Sequence, residues 1–226
     1  MTTILWDGKS LCGDSRMVRH NKVHRDDTLK LYSFPENAPT FKGHKVLAIG
    51  IAGACVQAQR AVDYICKHGD KVEDFYCNIY WSGLGSDNFA ITSFSLLIVT
   101  AGPAYQFEVG RSRAKVPVEL SEITTLPHAM GSGGSIAQFL SEQYQLPGHL
   151  AVAGAVMGDK YSGGMIYGIT IEAGEVIEQI RHWYPDANEI RAEIAKHMKI
   201  KKTRKRLIDD PIFVQTKAIS AKPSET

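Results

Sequence analysis

The chain has only four cysteines, Cys12, Cys55, Cys66 and Cys77, and no two of them stand in a C-x-x-C spacing. That excludes a disulfide frame and a zinc ribbon, and the four read as reduced core thiols. Charge of one sign is also missing. The net charge is +2, which demands no polyanionic partner. No apolar run could cross a bilayer; the longest, "LLIVTAG" from Leu96, is far too short. Trp6-Asp7-Gly8 interrupts the N-terminus before any apolar segment forms, so no signal peptide is expected and the chain reads as cytoplasmic. Three motifs are absent: the phosphate loop GxxxxGK[ST], a GxGxxG opening a parallel βαβ unit, and the GxSxG elbow. The eight histidines are scattered without metal-ligand spacing, so neither metal nor cofactor is expected. No internal repeat is present.

What remains is an ordinary soluble composition, 44% hydrophobic and 22% charged over 226 residues. That is enough chain to bury the core of one large domain or at most two small ones. The chain opens Met-Thr-Thr. An initiator Met before a small residue is commonly trimmed, which would leave Thr2 with a free α-amine beside its own hydroxyl. An α-amine titrates at about 7.7–8.0, so part of it can accept a proton at neutral pH. Threonine paired with such an amine is a nucleophile arrangement.

Asp7-Gly8 between two apolar-rich runs predicts a tight hairpin. Centred there, the register pairs Trp6 with Lys9, Ile4 with Leu11 and Thr2 with Gly13, which brings Asp14 to the chain terminus. Residues 28–34 and 44–53 read as strands, and a helix follows Gly53 and closes near Gly69. Residues 70–90 give no clear pattern. Residues 90–101 and 104–110 predict a hairpin turning at Gly102-Pro103. Residues 126–134 form a short strand and a glycine turn, followed by helices over about 135–145 and 150–157. A strand spans 162–174, and residues 185–198 read as a helix. Hairpin-linked strands predict antiparallel sheets covered by helices, an α+β domain over residues 2–198. Beyond Lys199 the chain turns basic and then Ser/Pro/Lys-rich, which predicts a flexible tail over 199–226. Seven Lys or Arg lie in "KHMKIKKTRKR" (196–206), but without interleaved aromatics a solvated tail is the better reading than a nucleic-acid arm.

Several segments together resemble the proteasome β subunit family. They are the "TT" start, "GDSR" (13–16), "LKLY" (29–32), "IGIAGACVQ" (49–57), "GSGGS" (131–135) and "GDKYSGGMIYGITI" (158–171). They occur in the family order, and the last is the most specific. The Met-Thr start is similar to the organisation of its propeptide-less HslV-type and Anbu-type relatives. The resemblance implies an N-terminal nucleophile hydrolase fold, a four-layer αββα sandwich of two antiparallel sheets between helical layers. Residue by residue, Thr2 matches the nucleophile, Asp14 the buried carboxylate, and Lys30 the adjacent lysine. Ser132 matches the serine near the amine, and Asp159 and Ser162 the pair that orient it. Gly53 matches the oxyanion donor. Val18 matches a backbone contact to extended substrate, and Ile51 and Cys55 line the specificity pocket.

The implied activity is threonine-type hydrolysis of peptides or unfolded protein in a self-compartmentalised homo-oligomeric ring. An ATP-dependent unfoldase fits as its partner, with no part for a membrane or nucleic acid. Two departures stand out. The first hairpin is shorter than usual by an even number of residues, which keeps every side chain on its face. The segment 69–88 is short where the family has its second helix, an element of subunit contact. Two rival readings share the fold: a scaffold without turnover, and an amidase acting on small non-peptide amides. Retention of Thr2, Asp14 and Lys30 argues against the first. The run Asp159-x-x-Ser162-Gly163-Gly164 argues against the second.

The tail is too polar to add a core layer, so deleting residues 207–226 is expected to leave peptide hydrolysis and thermal stability nearly unchanged. Light scattering checks the one exposed property, assembly, since an extra segment could bridge neighbouring subunits. Truncated protein that stays assembled but loses activity would place the tail in the active site.

Overall fold

The computed structural model describes residues 2–19, 21–71, 93–110, 118–182, 184 and 186–198. Two antiparallel sheets carry the chain. In the first, β11 (His128–Gly131), β1 (Thr3–Trp6), β2 (Ser10–Asp14), β12 (Ile166–Glu172) and β13 (Glu175–His182) lie side by side in that order. In the second the order is β10 (Val118–Ile123), β9 (Ala104–Val109), β8 (Phe94–Thr100), β7 (His44–Gly53) and β5 (Leu31–Ser33), with the short β6 (Thr40–Phe41) also on β7. A separate two-stranded ribbon, β3 (Met17–Arg19) and β4 (Lys22–Arg25), follows β2. The helices are α1 (Cys55–His68), α2 (Gly134–Tyr144), α3 (Gly148–Gly158) and α4 (Ala187–His197).

Three apolar clusters explain this arrangement. Ile4, Trp6, Leu11, Met130 and Ile169 of the first sheet pack against Leu31, Leu47, Leu97 and Val99 of the second. The other face of the second sheet (Ile49, Ile51, Leu96, Ile98 and Phe107) meets Ala58, Ala61, Val62 and Ile65 of α1. The other face of the first (Leu5, Cys12, Ile166) meets Ala137 and Leu140 of α2, Leu150 to Ala155 of α3, and Ile190 and Ile194 of α4. β7 alternates between two of these clusters, so both its faces are buried and its sequence "KVLAIGIAG" is nearly continuous in apolar residues. Its ends agree with the reading from sequence, as does α1, whose backbone is capped at Gly69.

The first hairpin differs from the expected register. Ile4 pairs with Gly13, Leu5 with Cys12 and Trp6 with Leu11. The Asp7 carboxylate is the cause: it accepts from Lys9 N (2.9 Å), Ser10 N (2.7 Å) and Ser10 Oγ (2.9 Å), holding residues 7–10 as a longer turn. The pairing therefore moves by two residues, so every side chain keeps its expected face. Asp14 now lies beside Thr3 rather than one step past Thr2.

The strand expected over 28–34 is shorter, Leu31–Ser33, and that over 162–174 begins only at Ile166. β13 was not foreseen, because "EVIEQIRH" is rich in charge; it is an edge strand with only half-buried and exposed residues. A two-residue Ala173-Gly174 turn, both at positive φ, returns the chain into it. β3, β4 and β10 likewise carry too little apolar pattern to be seen. Residues 72–92, which take in most of the 70–90 stretch without a clear pattern and the start of the strand expected over 90–101, and the tail from 199 lie outside the described residues. Among the described residues no helix is long and apolar enough to cross a membrane.

His149 in the first turn of α3 stacks on His182 at the end of β13, with ring centroids 4.9 Å apart, and His182 in turn faces Tyr184. Burial depresses the His149 pKa below its ordinary value of 6.5, and the His182 and His197 charges push the same way against Asp7 and Glu193. A histidine held neutral in the fold and free to protonate when unfolded supports stability above about pH 6.5. That support is lost as pH falls below 6.5 through the lowered folded value. Urea midpoints are therefore expected to fall more steeply between pH 7 and 5 for the native chain than for His149→Gln; parallel falls would show that His149 is not linked to folding.

Candidate active site

The site grows from the start of β1. Thr2 and Thr3 are buried, 1% and 0% exposed, because β1 is flanked by both β11 and β2. The glycine turn after β11 sits against them: Gly131 has φ +92, and a β-carbon there would overlap the Thr2 carbonyl. Only glycine lets the turn approach this closely. Gly133 N donates to the Thr2 carbonyl at 3.5 Å.

Asp14 ends β2 and is completely buried. Its Oδ1 accepts from Thr3 N at 2.8 Å and from Lys30 Nζ at 2.9 Å. Its Oδ2 accepts from Gly163 N at 2.9 Å and from Arg16 N at 3.3 Å. Lys30 comes from the other sheet. It directly precedes β5, and its carbonyl accepts from Ile51 N at 2.9 Å. Its ammonium donates both to Asp14 and, at 2.6 Å, to the Arg16 carbonyl. Burial pushes the Lys30 pKa below its ordinary value; the Asp14 carboxylate opposes this, and Cys55 adds a smaller contribution in the same sense as Asp14. A buried ammonium with a weakened hold on its proton, fixed by one carboxylate, can lower the pKa of a neighbouring hydroxyl or exchange a proton with it.

A second network closes on Thr3. Asp159 caps the end of α3, and its Oδ2 accepts from Ser132 Oγ at 2.5 Å and Ser162 Oγ at 2.8 Å. Ser162 Oγ is also 2.7 Å from Thr3 Oγ1. A chain of hydrogen bonds thus runs from Ser132 through Asp159 and Ser162 to the second threonine. Such a chain fixes hydroxyl orientation in a buried setting.

The structure therefore brings Asp14 and Lys30 together at the Thr3 amide, and Ser132, Asp159 and Ser162 together at the Thr3 hydroxyl. Gly53 ends β7 at φ +87, where a β-carbon would lie 2.5 Å from the Ser93 carbonyl, and Cys55 Sγ lies 3.7 Å from the Gly53 carbonyl. Ile51 is tied to Lys30 through the backbone. Val18 stands apart on β3, paired with Val23 of β4.

Reading the sequence did not single out Thr3, Arg16 or Asp26. Thr3 supplies both the amide on Asp14 and the hydroxyl on Ser162. The Arg16 guanidinium pairs with Asp26 at 2.7 Å and donates to the Ser162 carbonyl at 3.3 Å, bracing the turn that holds Gly163. Thr3 and Arg16 lie inside the "TT" and "GDSR" segments, so their positions were visible although their roles were not. Among the described residues no group of three or more His, Cys, Asp or Glu is placed to hold a metal ion.

No family model matches the chain, and no curated protein matches it. Among solved structures it is similar to eukaryotic HslV from Trypanosoma brucei, at 16% identity and a TM-score of 0.46, covering 80% of this chain and 100% of that one.

Proposed function

We propose that the chain is a threonine-type N-terminal nucleophile peptidase built on a four-layer αββα sandwich. The observation that carries this reading is the buried Lys30–Asp14 ion pair hydrogen-bonded to the amide of Thr3, one residue from Thr2. Desolvating a lysine and a carboxylate costs several kcal/mol per ion. Aimed at the first residues of a strand, so costly a pair supports a role in chemistry beside its role in joining the sheets. The three apolar clusters, helix on sheet, sheet on sheet and sheet on helix, support the layered fold.

In this mechanism Met1 is removed and Thr2 exposes its amine. Ser132, with Asp159 and Ser162, orients that amine. The Thr2 Oγ attacks a peptide carbonyl, its proton passing to the amine, while the Lys30 charge stabilises the developing alkoxide. The Gly53 N–H serves as oxyanion donor, a contribution of about 3–4 kcal/mol in comparable sites. The C–N bond breaks as the amine protonates the leaving group, and water then hydrolyses the ester on Thr2. Val18 guides the extended substrate by its backbone, and Ile51 and Cys55 shape an apolar pocket for the side chain before the cleaved bond. The setting is a cytoplasmic homo-oligomeric ring that takes peptides or unfolded protein, with an unfoldase as its feeding partner.

Intact mass before and after a threonine-directed epoxyketone probe tests the nucleophile. The expected result is loss of Met1 and a single adduct on Thr2. Active protein that mostly retains Met1, or a probe adduct elsewhere, would overturn the assignment.

Thr2→Ala and Lys30→Ala are each expected to lower kcat/KM on a fluorogenic peptide by roughly 10³-fold or more. The double variant should lose little beyond either, since both act in one proton-transfer unit. Circular dichroism separates loss of chemistry from loss of fold, and substantial turnover by either folded variant would name the wrong group. A chain that cleaves small amides but no peptide would move the reading to an amidase.

A further inference from the structure

The β3–β4 ribbon has a charge pattern that its own stability does not explain. Arg16 is neutralised by Asp26 and Arg25 by Asp27, at 2.7 and 2.9 Å. Among the described residues neither pair takes in Arg19 or Lys22, and both of these are exposed. They are also direct cross-strand partners at the tip of the ribbon. Like charges placed directly opposite one another destabilise a strand pair, so this juxtaposition works against the local fold. Sites where a sequence opposes its own local structure are where a function is to be sought.

The ribbon's position supplies the second half of the case. Its root is fixed to the site, because Lys30 Nζ holds the Arg16 carbonyl and both Ser15 N and Arg16 N donate to the Gly163 carbonyl. Arg19 is three residues further along, about 10 Å in extended chain. That is also the length of three residues of an extended peptide. Among the described residues β3 pairs with β4 alone, so its other edge has no strand partner there, the arrangement to which a peptide strand adds.

We propose that Arg19 and Lys22 are specificity-determining residues that select peptides carrying Asp or Glu within about three residues of the cleaved bond. The inference rests on the peptidase reading above. A carboxylate placed between the two cations would relieve their repulsion, and its attraction to exposed cations would weaken with salt. Cations that only guard an open strand edge against aggregation would show no such choice.

The experiment uses the full chain and peptides that differ only by Glu, Gln or Lys at one position, scanned over the three residues on each side of the cleaved bond. The native chain is expected to favour Glu by about fivefold or more in kcat/KM at one or more positions at low salt, and to approach parity at high salt. Arg19→Gln/Lys22→Gln should abolish that preference while leaving the Gln peptides within about twofold. Arg19→Glu/Lys22→Glu should invert it towards Lys. Equal rates on Glu and Gln, or a preference that survives the double substitution, would overturn the proposal. If no peptide is cleaved, the peptidase reading fails, and fluorescence anisotropy with labelled Glu and Gln peptides decides the charge selection by itself. Tighter binding of Glu that is lost in the Gln variant supports it, and equal binding overturns it.

Discussion

Asp14 is where the structure is tied together. One buried carboxylate accepts from the start of β1, from the lysine before β5, from the turn after α3 and from the backbone of Arg16. Those four donors come from both sheets and from the two loops that converge on the threonines. An ion pair in this setting is not a net source of stability, because desolvation offsets most of the attraction. Its consequence is geometric. With Lys30 1% and Asp14 0% exposed, removing either partner would leave an uncompensated buried charge, at a cost of about 3–5 kcal/mol. The arrangement is therefore all-or-none, which suits a constellation whose distances must not drift.

The rest of the site follows from how closely backbone can approach β1. Thr2 and Thr3 are overlaid by the glycine turn 131–134, whose neighbour Ser132 then reaches Asp159. Asp159 in turn is positioned by the end of α3, a helix apolar enough to be buried among α2, α4 and the first sheet. Packing of that helical layer thus sets the position of the Ser132–Asp159–Ser162 network. The Lys30–Asp14 pair is set by the contact between the two sheets. The two networks meet at Thr3, the residue after the proposed nucleophile, and the chemistry proposed for Thr2 depends on both.

The sequence carried much of this. Periodicity or an apolar run gave β7, α1, the β8–β9 hairpin and the three later helices to within a few residues, because each is apolar on one face or, like β7 and α3, throughout, with a Gly, Pro or Asp at its end. It did less well where charge masks the pattern, as in β13, and in the short exposed β3 and β4, which bury almost nothing. The Asp7-Gly8 turn was visible as a turn. Its length was not, since the Asp7 carboxylate that caps Lys9 N and Ser10 N is also held by the distant Gly148 amide. The candidate site was legible through the resemblance of its motifs as residues in order, Thr2, Asp14, Lys30, Ser132, Asp159 and Ser162, but not as a set of contacts.

By itself the sequence determined the antiparallel α+β class and the face on which each strand residue lies, because these follow from local periodicity and composition, while the side chains offered for proton transfer came from the family resemblance of its motifs. Only the tertiary structure decided that Asp14 binds the amide of Thr3, that Lys30 crosses from the other sheet to meet it, and that Arg16 and Asp26 brace the turn. Each of those contacts joins segments far apart in the chain. Their formation depends on packing between layers and on the exclusion of water from the space between them, which no local stretch of sequence encodes.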